Sequence, residues 1–323
     1  MADCYDNIKL YVDHINEGYP TGLTTWGLGD WVPVTTKPEV EFTSTPYYFT
    51  DVTILAKAAK LLGKDADYKK YSALATKIKE AFNAKYLNKQ TASYGKGMQT
   101  ELSMPLYWGL VPEEMKGKVA ANLARRVPQD SLHLNVGLLG TKSILNALSE
   151  NGYAEMAYTI AAQKTYPSWG WWMMNGATTL YENWPLNAKS DISRNHIMFG
   201  EVGAWLFKGI AGIRPDEQAP GFKNAILELN FIDSLESYAT MHKGPYGNIQ
   251  CSWKKSNGLI ESTITVPPNS TATLLLPIAG NKKLYAEGQL VSNANALIRT
   301  TGKNAAGKSV YQLQAGTYHF SIR

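Results

Sequence analysis

Glu182 and four tryptophans are the residues of this chain best suited to chemistry. Trp169, Trp171, Trp172 and Trp184 fall within sixteen residues, and Glu182 is the first acidic residue after Glu155. Indole rings stack on the apolar faces of a pyranose, whose hydroxyls need fixed polar partners. A lone carboxylate among aromatic rings therefore suits sugar recognition. Tryptophans this dense also serve as core. Here Pro167, Gly170, Gly176 and Pro185 interrupt the run and predict loops and short turns rather than one helix face. Flanked by Tyr181 and Trp184, Glu182 is expected to be partly desolvated, with a raised pKa and the basicity of a general base. The plainer alternative is a surface glutamate on a loop.

Composition narrows the classes. The chain has 323 residues, enough for one large or two ordinary domains. Its 32 basic and 27 acidic residues leave a net charge of +5 with no Lys/Arg block, so a nucleic-acid partner is not expected. Cys4 and Cys251 lie far apart and give neither a disulfide framework nor a metal spacing. Five scattered histidines form no metal motif, and no Gly-rich phosphate loop is present, so neither metal nor cofactor is expected. No run of about eighteen apolar residues predicts a membrane span. The N-terminus lacks the basic and apolar regions of a signal peptide and reads like the start of a helix inside a fold, as in a piece of a longer protein.

The elements that must position these residues change character along the chain. Residues 1–214 read as helical. Ile54, Ala58 and Leu61 form one face of a helix over 50–62. Tyr71, Leu74, Ile78 and Phe82 make the next stripe, with Asp65 before it as a cap. Pro112-Glu113-Glu114 opens a helix carrying Val119, Leu123 and Val127, and its acids suit the helix dipole. Ile144, Leu145 and Leu148 end another helix, and 153–163 and 200–209 are the last two. Gly63-Lys64-Asp65 and Asn151-Gly152 are short turns between antiparallel neighbours. Longer polar loops recur at 19–44, 90–99, 129–135 and 166–195. That alternation suits an α/α toroid with its site on the long loops. From 215 to 323 the segments 225–232 and 246–254 alternate with period two, and 259–266, 271–276, 283–287, 309–313 and 316–322 are β-rich, which predicts an antiparallel β-sandwich.

From Trp169 to Gly200 the sequence resembles the bacterial α-L-rhamnosidases of glycoside hydrolase family 78, and the resemblance extends over nearly the whole chain. Gly29-Asp30-Trp31 is similar to a family loop. Gln99-Thr100, Gly109-Leu110-Val111-Pro112, His133-Leu134 through Gly140-Thr141, Tyr166-Pro167-Ser168-Trp169-Gly170, Gly176-Ala177-Thr178-Thr179 and Asn195-His196 follow in family order. The resemblance implies an (α/α)6 barrel, incomplete at its N-terminus, followed by a C-terminal β-sandwich. It implies inverting hydrolysis of terminal α-L-rhamnosides, with a rhamnose-containing glycan or glycoside as partner. Such chemistry pairs a protonated carboxyl with a carboxylate base roughly 6.5–9.5 Å away. The family base lies in Thr-Thr-x-Trp-Glu-Arg-Trp. Here the segment reads Thr178-Thr179-Leu180-Tyr181-Glu182-Asn183-Trp184, so Glu182 inherits the role despite Tyr181 for Trp and Asn183 for Arg. The family's acid segment has no match here and is expected upstream.

The resemblance makes His196 a sugar contact; otherwise it caps a helix start. Asp30 and Trp31, on a Gly-flanked loop, are expected to bind and stack on the sugar, against an Asx-turn with a packed indole. Of the tryptophans, Trp169, Trp172 and Trp184 are the candidate pocket residues. Trp108 and Trp205 read as helix core, and Trp253 belongs to the sandwich. Glu39 and Glu41 read as an ordinary extended segment rather than as the acid. Toroid helices lacking neighbours would leave apolar faces open, which predicts dimers or aggregation. Two other functions fit the same residues: a catalytically incomplete sugar-binding or structural fragment, and a toroid glycosidase for another sugar. The resemblance also suggests a secreted or periplasmic parent, which nothing in the chain itself signals.

Overall fold

The structure, a computed structural model, describes residues 2–35, 37–187, 193–292 and 296–323. The chain forms two compact units, Met1–Glu201 and Val202–Arg323.

The first unit is built of antiparallel helix pairs. Helix α1 (Ala2–Gly18) packs on α2 (Val40–Leu61), and α2 packs on α3 (Asp65–Tyr86). A short hairpin, β1 (Leu87–Asn88) and β2 (Ser93–Tyr94), leads to α4 (Gln99–Tyr107). Helix α4 packs on both α5 (Glu113–Gln129) and α6 (Leu138–Glu150), and α6 on α7 (Ala154–Ala161). The short α8 (Trp169–Met174) follows. The expected stripes on α3 and α5 are buried: Tyr71, Leu74, Ile78 and Phe82 on one, Val119, Leu123 and Val127 on the other. Burying such apolar rows, rather than helix propensity, is what holds short helices in water.

Several local expectations are corrected. Asp65 is the first helical residue of α3 and Lys64 holds the cap position, so Asp65 acts on the helix dipole and not as a cap. Residues 40–44, expected within the 19–44 loop and extended around Glu39 and Glu41, are the first turns of α2, which starts ten residues before the expected Thr50; the Thr43 N–H donates to Glu39 O. Pro46, the seventh residue of α2, has no N–H to give to Phe42 O, so the helix goes without that bond in its second turn. Of the expected face Ala58 is buried, but Ile54 and Leu61 are 51% and 74% exposed; Val52, Leu55, Ala56 and Ala59 are buried instead. The helix expected over 200–209 is three short pieces: a 3₁₀ turn (Ile197–Gly200), α9 (Glu201–Trp205) and a π turn (Leu206–Ile210).

The second unit is two sheets. Beyond β3 (Ile213–Pro215) and β4 (Asn224–Glu228) come β5 (Ser237–Gly244), β6 (Gly247–Ser256), β7 (Leu259–Val266) and β8 (Thr271–Leu276). The remainder are β9 (Leu284–Ala286), β10 (Gln289–Leu290), β11 (Ile298–Lys303), β12 (Ser309–Leu313) and β13 (Gly316–Ile322). The sheet orders are β10-β9-β13-β7-β6-β5 and β11-β12-β8-β4-β3. As expected the sheets are antiparallel; among the described strands β4 with β8 is the one parallel pair. Alternate residues such as Ile249, Cys251 and Trp253 on β6 and Ala272, Leu274 and Leu276 on β8 are buried. Gly212, at φ +68°, passes so close to the Glu228 backbone that no side chain fits.

Candidate active site

Glu182 owes its place to two strands of irregular chain lying side by side. Its N–H donates to Ser193 O (2.9 Å), the His196 N–H donates to Leu180 O (2.7 Å), and the Thr179 hydroxyl donates to Arg194 O. The Ser193 N–H then donates to Glu182 Oε2 at 2.8 Å, and the Trp31 indole N–H donates to Oε1 at 3.1 Å. Each carboxylate oxygen is thus held by one donor. His196 Nε2 lies 4.0 Å from Oε1. Its Nδ1 accepts from the Met198 N–H, which leaves Nε2 to face Glu182. His196 therefore caps the 3₁₀ turn and borders the carboxylate at once.

These donors reverse one expectation. The Ser193 N–H, ahead of the indole of Trp31 and the nearby His196, holds the Glu182 carboxyl below its ordinary range against the opposing effect of burial. Tyr181 and Trp184 do not desolvate it enough to raise it.

A cavity of about 530 Å³ opens beside this carboxylate. One wall is the loop carrying Trp26, Leu28 and Trp31. The others are Ser44 and Tyr47 of α2, Leu138 and Leu139 at the start of α6, and Glu182, His196 and Met198. Burial pushes the Tyr47 phenol up to about 12, so it meets the cavity as a neutral hydroxyl. Glu182 is the one carboxylate among the described lining residues.

Of the expected sugar contacts, Trp31, Glu182 and His196 are brought together in this cavity. Asp30, Trp169, Trp172 and Trp184 are not: they are 0%, 7%, 2% and 0% exposed and lie behind it. The three indoles form a floor. Trp172 stacks on Trp184 at 4.8 Å, and both pack on Phe199. Every indole N–H is spent on backbone: Trp169 on Phe199 O, Trp172 on Trp184 O, and Trp184 on Val136 O. A buried indole needs such a partner, and one so paired has no donor left for a sugar. Asp30 accepts from the Thr100 hydroxyl (2.7 Å) and from the N–H groups of Gly137, Leu139 and Gly140 (2.9, 2.9 and 3.0 Å). It binds the N-terminus of α6, where the helix dipole favours an anion. Burial pushes its carboxyl up, and those four donors oppose it. The acid candidates Glu39 and Glu41 do not line the cavity; Glu41 is tied to Lys85 and Tyr86.

Sequence reasoning missed Tyr47, Leu138, Leu139 and Met198. Leu138 and Leu139 lie inside the family-like segment 133–141 without being singled out there; a further signal was Gly137, whose lack of a side chain lets the Trp31 carbonyl approach α6. Among the described residues no group of three or more His, Cys, Asp or Glu could hold a metal ion, and no helix is long and apolar enough to cross a membrane.

Paired antiparallel helices with a loop-built aromatic pocket around a carboxylate are the make-up of the helical part of a glycosidase. The comparisons agree. Residues 1–210 match the bacterial alpha-L-rhamnosidase 6 hairpin glycosidase domain, and residues 212–290 the bacterial alpha-L-rhamnosidase C-terminal domain. The chain belongs to the bacterial α-L-rhamnosidase family. It is 28% identical over 335 residues to an alpha-L-rhamnosidase of Streptomyces avermitilis, covering all of this chain and 31% of that protein. It is 26% identical to one from Alteromonas, covering 35% of that protein. The alpha-L-rhamnosidase structure from Dictyoglumus thermophilum superposes over the whole chain with a TM-score of 0.89 at 34% identity, using 37% of that chain. The Streptomyces avermitilis enzyme, solved in complex with L-rhamnose, gives 0.86 at 25% identity, using 31% of that chain. The chain thus spans about a third of the length of the relatives it matches.

Proposed function

We propose that this chain is part of an enzyme that hydrolyses terminal α-L-rhamnosides with inversion, with Glu182 as the general base. The observation that carries this is the fixed Glu182 carboxyl on the wall of a largely apolar cavity, each oxygen held by one donor and with a lone pair to spare. That arrangement lets it take a proton from water attacking the anomeric carbon. His196 and the face of Trp31 flank it as sugar contacts. The indole floor and Asp30 hold the pocket in shape rather than touch the ligand. Inverting hydrolysis needs a second carboxyl as acid. None of the described lining residues is that second carboxyl, and we assign the acid to another segment of the protein. Self-association belongs to the same proposal, supported by the exposed Leu10, Tyr11, Ile54 and Leu61.

The single carboxylate also favours a second reading, a sugar-binding module without turnover. Hydrolysis of an aryl α-L-rhamnoside, followed by NMR of the first-formed anomer, separates the two. Glu182→Gln is expected to lower turnover by roughly 10²–10⁴ while leaving L-rhamnose binding in place. Full turnover in the variant refutes the base assignment. Binding without turnover by a longer protein that also carries the acid favours the second reading; by this chain alone it fits both.

A further inference from the structure

The cavity contains one contact that neither burial nor sugar stacking explains. Trp31 is 45% exposed, unlike the three floor indoles, so it is not held by burial. Its ring edge, not its face, meets Glu182, a residue 151 positions away. We propose that Trp31 is a positioning residue for Glu182, its indole N–H orienting one carboxylate oxygen, and that the buried Asp30 is the anchor that keeps Trp31 in reach. The inference rests on Glu182 as the base.

Two independent bonds fix the carboxylate plane: Trp31 Nε1 on Oε1 and Ser193 N on Oε2. With one alone, the group turns about its last bond and its free lone pairs sweep across the cavity. With both, they point one way, which is what activating a water in a single place requires. The Ser193 donor comes from the adjacent chain, so it is secured locally. The Trp31 donor comes from a distant loop and must be carried there. Three features carry it. Asp30 is bonded to three N–H groups of the α6 start and to Thr100. The Trp31 carbonyl accepts from the Leu138 N–H at 2.9 Å. Val32 then adopts φ +47°, costly for a β-branched residue, turning the chain away directly after the indole. The loop is stapled on both sides of one peptide, and that peptide bears the side chain that reaches Glu182. The lowered pKa of Glu182 agrees with a donor at this oxygen.

The test needs no turnover. The Glu182 carboxyl, assigned by its loss in Glu182→Gln, is titrated by ¹³C NMR in the chain as it stands. Trp31→Phe keeps an apolar ring and removes the donor, so the midpoint is expected to move up. An unmoved midpoint in a variant that melts like the parent overturns the inference. Asp30→Asn discriminates further. Removing a negative charge relieves Coulomb repulsion and so lowers a neighbouring carboxyl's midpoint, or leaves it alone if Asp30 is neutral. Release of Trp31 raises it. The anchor role therefore predicts an upward shift, with no further rise in the double variant. A downward or absent shift, or two additive rises, overturns it. Should Asp30→Asn not fold, Thr100→Val removes one of its bonds and keeps the charge; it is expected to give a smaller rise, and no rise counts against the anchor. The base reading fails separately: Glu182→Gln that still hydrolyses an aryl α-L-rhamnoside sinks it, whatever the titration shows.

Discussion

Replacing Asp30 by alanine is expected to be among the most damaging single changes in the helical unit, even though the side chain touches no ligand. Asp30 is fully buried and accepts four hydrogen bonds, three from the start of α6 and one from Thr100. Alanine leaves all four donors without a partner inside the protein. A buried donor left unpaired costs about 1–3 kcal/mol, at the low end where water can enter the vacated space. Four donors at the low end give about 4 kcal/mol, matching the roughly 3–5 kcal/mol seen when one side of a buried charged set is removed. In a unit of this size each kcal/mol moves the melting temperature by about 2–4 °C, so a fall of about 8–16 °C is expected. Differential scanning calorimetry of the chain reads this directly, with L-rhamnose binding measured at a temperature where both forms are folded. Were Asp30 a sugar ligand, as its Gly-Asp-Trp setting suggests, alanine would weaken binding and spare the melt. A melting temperature within about 2 °C of the parent refutes the anchoring argument.

Two further changes test the packing and the charges. In Gly137→Ala the new Cβ meets the Trp31 carbonyl oxygen and lies 2.7 Å from Asp30 Oδ1, neither of which can yield cheaply. It is expected to cost about 1–3 kcal/mol and to weaken L-rhamnose binding. Gly117→Ala, in the interior of α5 with nothing within 4 Å, should instead stabilise by about 0.5–1 kcal/mol; equal melts for the two variants would defeat the reasoning. In the second unit, burial would push the Glu228 carboxyl up, yet Arg214 and Lys308 outweigh it and hold it low. A carboxyl whose folded pKa is depressed adds stability above its unfolded value, near 4.5, and loses it as the pH falls through the folded value. The urea midpoint of this unit should drop over that window, and its gap to Glu228→Gln should narrow. A gap that stays constant from pH 6 to 3 would contradict this.

The sequence made Glu182 legible and its neighbourhood only partly so. Glu182 stood out because an acidic residue among aromatic rings is rare, and His196 because of the motif around it. Trp169, Trp172 and Trp184 were drawn to the ligand by the same composition. Yet indoles that floor a pocket and indoles that line it look alike until their N–H partners are known, and those partners are backbone carbonyls no motif encodes. Asp30 illustrates the same limit: a carboxylate after a glycine suits a sugar hydroxyl as well as a helix N-terminus, and only α6, over a hundred residues on, decides. The stripes of α3 and α5 were read from periodicity because each faces one neighbour. Helix α2 misled because it packs on both α1 and α3, which spreads its buried positions around the cylinder and hides the period. Its first turns read as extended until Glu41 met Lys85 and Tyr86 from α3.

The direction of the Glu182 shift bears on what kind of base this is. A desolvated glutamate would be a stronger base, but it would be protonated over part of the working range. Two donors at 2.8 and 3.1 Å produce the opposite balance: a weaker base that is ionised down to lower pH. For water activation the rate follows the product of basicity and the fraction in the basic form. A base with a modest pKa gains from being fully ionised and fixed in direction, and it relies on geometry for what it gives up in proton affinity. That is why the peptide joining Asp30 to Trp31 matters to the proposed chemistry. It converts the rigidity of the α6 N-terminus into the orientation of a carboxylate that sequence alone places on a loose loop. An acid partner would need the reverse environment, a carboxyl with few donors and more burial, to stay protonated where Glu182 is charged. Of the other acidic residues weighed, Glu41 lacks that environment, being tied to a lysine and a tyrosine. Asp30 is buried, but its oxygens are fully engaged by four donors. Among the described residues, the cavity wall therefore holds the base of the proposed reaction.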